Sequence, residues 1–527
     1  MNLNQTIKNL MPYFIIIFFT AIGIIFRIPF YTHYFVPQIS VDSLAYADFA
    51  SDILSKKVGI FLAYTPGYPL FILITEVLGI HTMKSFCLLQ TIINFIIFLG
   101  IIYLLFSIKL LNNFFKYLIY ITLIIFFNCS ATLAMETFVS PMIFYSSLSL
   151  LFVFALLNIF YTHTAGIIKL CFISIIISIL LLLRPQGIVL LPLFGLLILY
   201  LLLSKRYRQA IFIISIPTVV IFCTALYNYD TLGKFTYSSQ GFYQSLRSSA
   251  IFLKKKDNQP PAIRNAIDSA DARLYSQYPN RTKEQIVLAN PAIEDGYADN
   301  FSNFVAGKFG NMSKGMQDTL SGIIHTDCDK HFFRQKVITT LKSQITLNSL
   351  NREFYMSDLI ERISYIKKTD YFDDGSSEFT KKIVTKDFYP YYYTGKNLSL
   401  SSMKADSRIT SLAFFLNTKT TNILRVLPLG YIYLLSIILF TIFLLICWKQ
   451  LPDVPIVVGS YLTALIPLSN YLLIAIYVYP DRRYSYTSDY LIILAPILLI
   501  FSIYIIYFQR PLIPRWNTSL LLKAGKN

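Results

Sequence analysis

Hydrophobic positions along the chain fall in long blocks rather than in the alternation of a half-buried strand or the one-sided stripe of a surface helix. Runs long enough to cross a bilayer as helix, about 17–25 residues, lie near 12–31, 86–108, 114–131, 138–161, 166–184, 187–203, 209–227, 425–448, 455–479 and 489–508, which predicts ten spans. Pro66 to Ile80 is a shorter apolar run that carries Glu76, and it predicts an interfacial or re-entrant helix. Between Asn228 and Leu424 the apolar pattern stops for long enough to form an independent domain. Apolar residues three or four apart, as from Lys330 to Lys368, predict that this domain is mostly helical. The expected fold is a polytopic α-helical membrane protein with an N-terminal transmembrane module over 1–227 (first outer loop 31–85), an exocytoplasmic domain over 228–424, and C-terminal transmembrane helices with a short tail over 425–527.

Composition agrees with the pattern. Of 527 residues 55% are hydrophobic and only 14% charged, where a soluble domain has about 25% charged residues. Aromatics at 16% exclude a disordered chain, and 20 glycines without a period exclude a collagen-like one. A net charge of +18 would ordinarily suggest nucleic acid as partner. Here the cations cluster in alternate inter-span segments, among them Lys205, Arg206, Arg208, Lys449 and Arg510, so the surplus is read as the excess of Lys and Arg that marks cytoplasmic loops. That orientation puts both termini in the cytoplasm and the large domain in the periplasm, on the outer side of an inner membrane; counting Pro66 to Ile80 as a full crossing would place Lys205, Arg206 and Arg208 outside. Five cysteines sit in apolar runs and Cys328 alone in a polar region, so no disulfide framework or CxxC metal pattern is expected. The first apolar run is interrupted by Arg27 and lacks a small-residue cleavage site, which favours a retained span over a signal peptide.

The segments predicted to lie outside carry the candidate chemistry. In the first outer loop Asp42 precedes a short helical pattern in which Asp48 and Asp52 share a face. Asp42 is either an N-cap or a general base, and spacing alone favours the cap. Thr65-Pro66-Gly67-Tyr68-Pro69 opens the short apolar helix. Glu136 is the single acid between Glu76 and Asp230; an isolated carboxylate amid apolar sequence is costly to bury, so it is a functional candidate or a solvated loop tip. Arg184 in Arg184-Pro185-Gln186-Gly187, and Arg482 and Arg483 before Tyr484, would be cations on the outer side, where snorkelling or pairing with a lipid phosphate both account for them. Asn228 lies in the exit from the seventh span, a turn on its residue types. His325, Asp327, Asp329 and His331 match no spaced zinc motif and read as a polar turn.

Taken in order, an outer-loop Asp, Thr-Pro-Gly-Tyr-Pro, an acid in the second outer loop, Leu-Arg-Pro-Gln-Gly, Asn-Tyr followed by Leu-Gly-Lys-Phe, and a late Arg-Tyr resemble the GT-C glycosyltransferases. The likeness is to bacterial relatives of protein mannosyltransferases and of the lipid A aminoarabinose transferase, over roughly residues 1–250 and 425–510. The resemblance implies a GT-C-like bundle, a polyprenyl-phosphate-linked sugar as donor, and a glycan, lipid or protein acceptor at the outer membrane face. It implies Asp42 and Glu136 as the catalytic acids, Arg483, Arg184 and Arg482 against the lipid phosphate, and Tyr68, Tyr484 and Asn228 shaping the site. Asp42 is followed by Ser43 where family members often show an acidic pair, which leaves a divalent cation, magnesium or manganese, an open expectation. The competing expectations are an O-antigen polymerase or ligase with a lipid-diphosphate donor, and a transporter, against which stand the scarcity of intramembrane charge and the lack of paired interrupted helices.

Overall fold

A computed structural model describes residues 3–32, 43, 46, 47, 49, 50, 65–80, 83–108, 111–162, 166–232, 235, 237, 246, 249–289, 293–306, 314–346, 424, 427–447, 455–477 and 482–509. The described chain is a multi-pass helical membrane architecture with a large helical region outside the apolar helices. The apolar helices are α1 (Leu3–Thr32), α2 (Gly67–Val77), α3 (Met83–Ser107), α4 (Asn113–Phe127), α5 (Ser130–Glu136), α6 (Met142–Thr162), α7 (Ile167–Leu183), α8 (Leu191–Leu203) and α9 (Tyr207–Leu232). After them come the polar-region helices α10 (Pro261–Gln277), α11 (Lys283–Ala289), α12 (Ile293–Ala306), α13 (Lys314–Asp327) and α14 (Lys330–Thr346), then α15 (Leu429–Ile446), α16 (Pro455–Tyr477) and α17 (Arg482–Tyr504).

Six of the described helices are long and apolar enough to cross a membrane: Ser85–Ser107, Met142–Phe160, Pro185–Leu203, Tyr207–Asp230, Leu429–Ile446 and Ile456–Leu473. The other four expected spans coincide with shorter apolar helices, Phe14–Ile28, Asn113–Phe127, Ile167–Leu183 and Leu491–Tyr507. Local chemistry sets two of those lengths. Asn112 caps α4, its side chain accepting from the Phe114 N–H at 3.0 Å, and the helix ends at Asn128. Helix α7 stops because Pro185 forces Arg184 out of the helical region, to φ −155° and ψ 142°. Helix α2, with 11 residues, is too short to cross, since a span takes about 17 or more. Asn228 does not lie in a turn: α9 runs on through it to Leu232, carrying its side chain on the helix.

Helix α6 organises the bundle. It is apolar on every face and almost wholly buried, packed against α3, α7, α16 and α17, as expected of a helix with no lipid-facing side. Helix α15 instead leaves Tyr431, Leu435, Ile438, Ile442 and Leu445 exposed at three- and four-residue spacing, a stripe suited to lipid. Several hydroxyls inside the bundle bond back to their own helices, as Ser146 to the Met142 carbonyl at 2.9 Å and Ser178 to that of Ser174 at 2.7 Å, and so are paired within an apolar interior.

A second core lies in the polar region, where α10 to α14 bury Ile263, Ile267, Val287, Phe301 and Leu320 around Phe252. Phe252 meets Phe332 edge to face at 4.5 Å between ring centres. The chain passing from α13 to α14 is pinned there: Leu253 and Cys328 form an antiparallel bridge, and the Asp329 carboxylate caps α14 by accepting from the backbone N–H groups of His331 and Phe332 at 3.1 Å. Hydrogen bonds from Lys256 and Gln259 hold the Asp327 carboxyl below its ordinary pKa, and Lys254 with the cap bonds does the same for Asp329. The four residues His325, Asp327, Asp329 and His331 thus have helix-end or capping places: His325 is in the last turn of α13, Asp327 closes it, Asp329 caps α14, and His331 is in its first turn.

Candidate functional site at one end of the helix bundle

Residues singled out in the sequence meet at the bundle end formed by α2, the α5–α6 connection and the α7 terminus. Gly67 lets α2 approach α7: a Cβ there would sit 2.7 Å from the backbone carbonyl of Leu182. That approach brings Tyr68 into the interior, where it is fully buried and stacks edge to face on Tyr46 at 5.2 Å. The Tyr68 hydroxyl donates to Gln90 Oε1 at 2.7 Å. Gln90, also fully buried, donates through Nε2 to the carbonyl oxygens of Glu136 and Phe138, both at 3.2 Å. One residue further on, the Val139 carbonyl accepts from the Ser43 hydroxyl at 2.7 Å. Tyr68, Glu136 and the neighbour of Asp42 therefore belong to one connected set. Asp42, Asp48 and Asp52 themselves lie outside the described residues.

Glu136 is no solvated loop tip. It is 1% exposed, and Arg27 from α1 grips it in a two-point ion pair, Nη2 to Oε1 at 2.6 Å and Nε to Oε2 at 2.8 Å. Asn94 Nδ2 adds 2.8 Å to Oε1, and the Thr91 hydroxyl lies 3.5 Å from Oε2. The rest of the guanidinium donates from Nη1 to the Gly23 carbonyl and Asn128 Oδ1 and from Nη2 to the Phe127 carbonyl, and its carbon sits 3.8 Å from the Phe127 ring centre. A buried carboxylate with every partner a donor of this protein is anchored. That arrangement suits holding the α5–α6 connection in place better than taking a metal. Among the described residues no group of three or more His, Cys, Asp or Glu comes together.

Sequence alone marks Arg27 only as an interruption of the first apolar run and does not mark Gln90, Asn94 or Asn128. A signal for the Arg27 pairing was there: one cation within the first apolar run and, 109 positions on, the single acid between Glu76 and Asp230, each too costly to bury alone.

Arg184 caps α7 at the same bundle end, and its side chain is buried close enough to Tyr145 to interact electrostatically. Tyr237 completes that side, its hydroxyl donating to the Leu181 carbonyl while its own carbonyl accepts from Asn228 Nδ2 at 3.2 Å. Arg184 and Asn228 are thus joined through the α7 terminus. Arg482, Arg483 and Tyr484 form the first turn of α17, but their side chains lie outside the described part.

No protein-family model matches the chain, and neither the curated proteins nor the solved structures searched contain a match.

Proposed function

We propose that this chain is a membrane glycosyltransferase of GT-C type that transfers a sugar from a polyprenyl-phosphate donor to a glycan, lipid or protein acceptor at the outer face. The observation that carries the reading is the gathering of separate motif residues at one bundle end: Tyr68, Glu136 and Ser43, far apart in sequence, share one hydrogen-bonded network, with Arg184 at the adjoining helix terminus. The finer form of the reading has about ten spans, both termini in the cytoplasm and the polar-region domain in the periplasm.

The chemistry follows from residue types. The acceptor hydroxyl oxygen attacks the anomeric carbon, Asp42 takes its proton, and the sugar–phosphate C–O bond breaks with its electron pair leaving on the lipid phosphate. Negative charge developing there is met by Arg184 and Arg483, whose planar guanidinium groups suit paired phosphate oxygens. One displacement inverts the anomeric centre. Tyr68, Tyr484 and Asn228 shape the site, and Glu136 holds one wall of it.

The test is mass spectrometry of surface glycans and glycoproteins from cells carrying the wild-type chain, no chain, or Asp42→Asn. The reading expects a glycan that is present only with the wild type and lost with the membrane-inserted variant. A glycan unchanged by Asp42→Asn overturns the assignment of the base. No difference on deleting the chain overturns the activity.

A further inference from the structure

We infer that Arg27, Gln90 and Tyr68 form a positioning relay that fixes the first-loop residues Ser43 and Tyr46 against the bundle; the catalytic meaning of that placement, Ser43 being next to Asp42 in sequence, rests on the function proposed above. The relay is continuous. Arg27 clamps the Glu136 side chain, and Gln90 clamps the Glu136 backbone carbonyl and that of Phe138. The turn so held presents the Val139 carbonyl to the Ser43 hydroxyl. The far end of Gln90 takes the Tyr68 hydroxyl, and the Tyr68 ring supports Tyr46, three residues along from Ser43. The segment is therefore held at two points, and both lead back to Gln90.

Every member of the relay is buried: Gln90 and Tyr68 are fully enclosed and Arg27 is 5% exposed. A buried amide whose two ends serve different elements has little freedom to re-pair, so loss of one bond is transmitted to the next. A network serving only to satisfy buried polar groups would stabilise α1, α3 and α4 alike and would leave the Ser43 segment no more sensitive than the rest. A positioning relay makes that segment the sensitive one.

The experiment uses full-length protein in nanodiscs and compares wild type with Arg27→Lys, Gln90→Leu and Tyr68→Phe by hydrogen–deuterium exchange. Tyr68→Phe removes one hydroxyl and keeps the ring, so it decides the matter if the other two fail to insert. Exchange in the peptide containing Ser43 to Ala50 is expected to rise about fivefold to tenfold, the scale of one lost hydrogen bond in local opening, with α6 and α10 unchanged. Binding of polyprenyl phosphate, used alone as the probe, should stay within about twofold in Arg27→Lys and Gln90→Leu while the glycan product falls by about tenfold, because neither residue is among those assigned to the phosphate. Exchange that is unchanged in that peptide, or that rises equally in α6 and α10, overturns the relay. If the exchange result holds but Asp42→Asn leaves the glycans intact, the relay stands and the assignment of Asp42 as base falls; if deleting the chain also leaves them intact, the transferase reading falls.

Discussion

The Arg27–Glu136 pair offers the sharpest energetic test of the fold. Replacing Arg27 by Met leaves the Glu136 carboxylate buried with Asn94 and Thr91 as its remaining described donors, and it removes the guanidinium from the Phe127 ring. Breaking a buried ion pair from one side costs about 3–5 kcal/mol, because the partner charge is left uncompensated. The ring contact, desolvated here, adds about 1–2 kcal/mol. Some of the loss is recovered if Glu136 takes up a proton, so the expected cost of Arg27→Met is about 3–4 kcal/mol. Glu136→Gln keeps an oxygen for Asn94 but sets an amide donor against an Arg27 donor, and about 3 kcal/mol is expected. The double variant removes both charges and keeps a hydrogen-bonding group beside Asn94. It should be more stable than the sum of the single losses implies, with a coupling energy of about 2 kcal/mol or more. Reversible unfolding in mixed micelles, followed by circular dichroism for the four proteins, reads the cycle. Single costs below about 1 kcal/mol that simply add in the double variant would refute the claim that this pair is dry and mutually dependent.

Two further outcomes follow from local geometry. Gly67→Ala would place a methyl carbon 2.7 Å from the Leu182 carbonyl, so α2 must shift from α7; a loss of about 1–3 kcal/mol in the same unfolding measurement is expected, against a gain of up to about 1 kcal/mol for Gly195→Ala, which lies inside α8 and whose added carbon meets nothing within 4 Å. For the polar-region core, Asp327 and Asp329 have folded pKa values below their unfolded ones. Their contribution to stability is therefore complete above the unfolded value near 3.8 and is lost as pH falls through the lower folded values. Hydrogen exchange in α13 and α14 should rise below about pH 4 and not between pH 5 and 8, and in Asp329→Ala that acid dependence should shrink.

The parts of this molecule that could be read from the chain are those set by local chemistry. Blocks of apolar residues became helices, Pro66 and Gly67 opened α2, and the Arg184-Pro185 step ended α7 because proline restricts its predecessor. Periodicity carried less where every face is apolar. Helix α6 and helix α15 look alike as sequence, yet one is enclosed by protein and the other leaves a stripe for lipid, and only the packing separates them. The turn expected at Asn228 failed for a related reason. Its residue types favour turns, but α9 continues because the helix is held against α7 and α8.

The candidate site was legible as motifs and not as contacts. Tyr68 and Glu136 stood out by type and spacing, but a carboxylate carries no mark of which cation will reach it from over a hundred positions away. Gln90 had no local signature at all. It sits within an apolar helix, and its role arises only where α2, α3 and the α5–α6 connection converge.

The most direct measurement for the proposed activity is donor consumption. The purified chain, in vesicles loaded with the lipid-linked sugars extracted from its own cells, is expected to release polyprenyl monophosphate from a monophosphate-linked donor, and Asp42→Asn is expected to release none. Release of polyprenyl diphosphate instead, equal release by the variant, or no release at all would contradict the account.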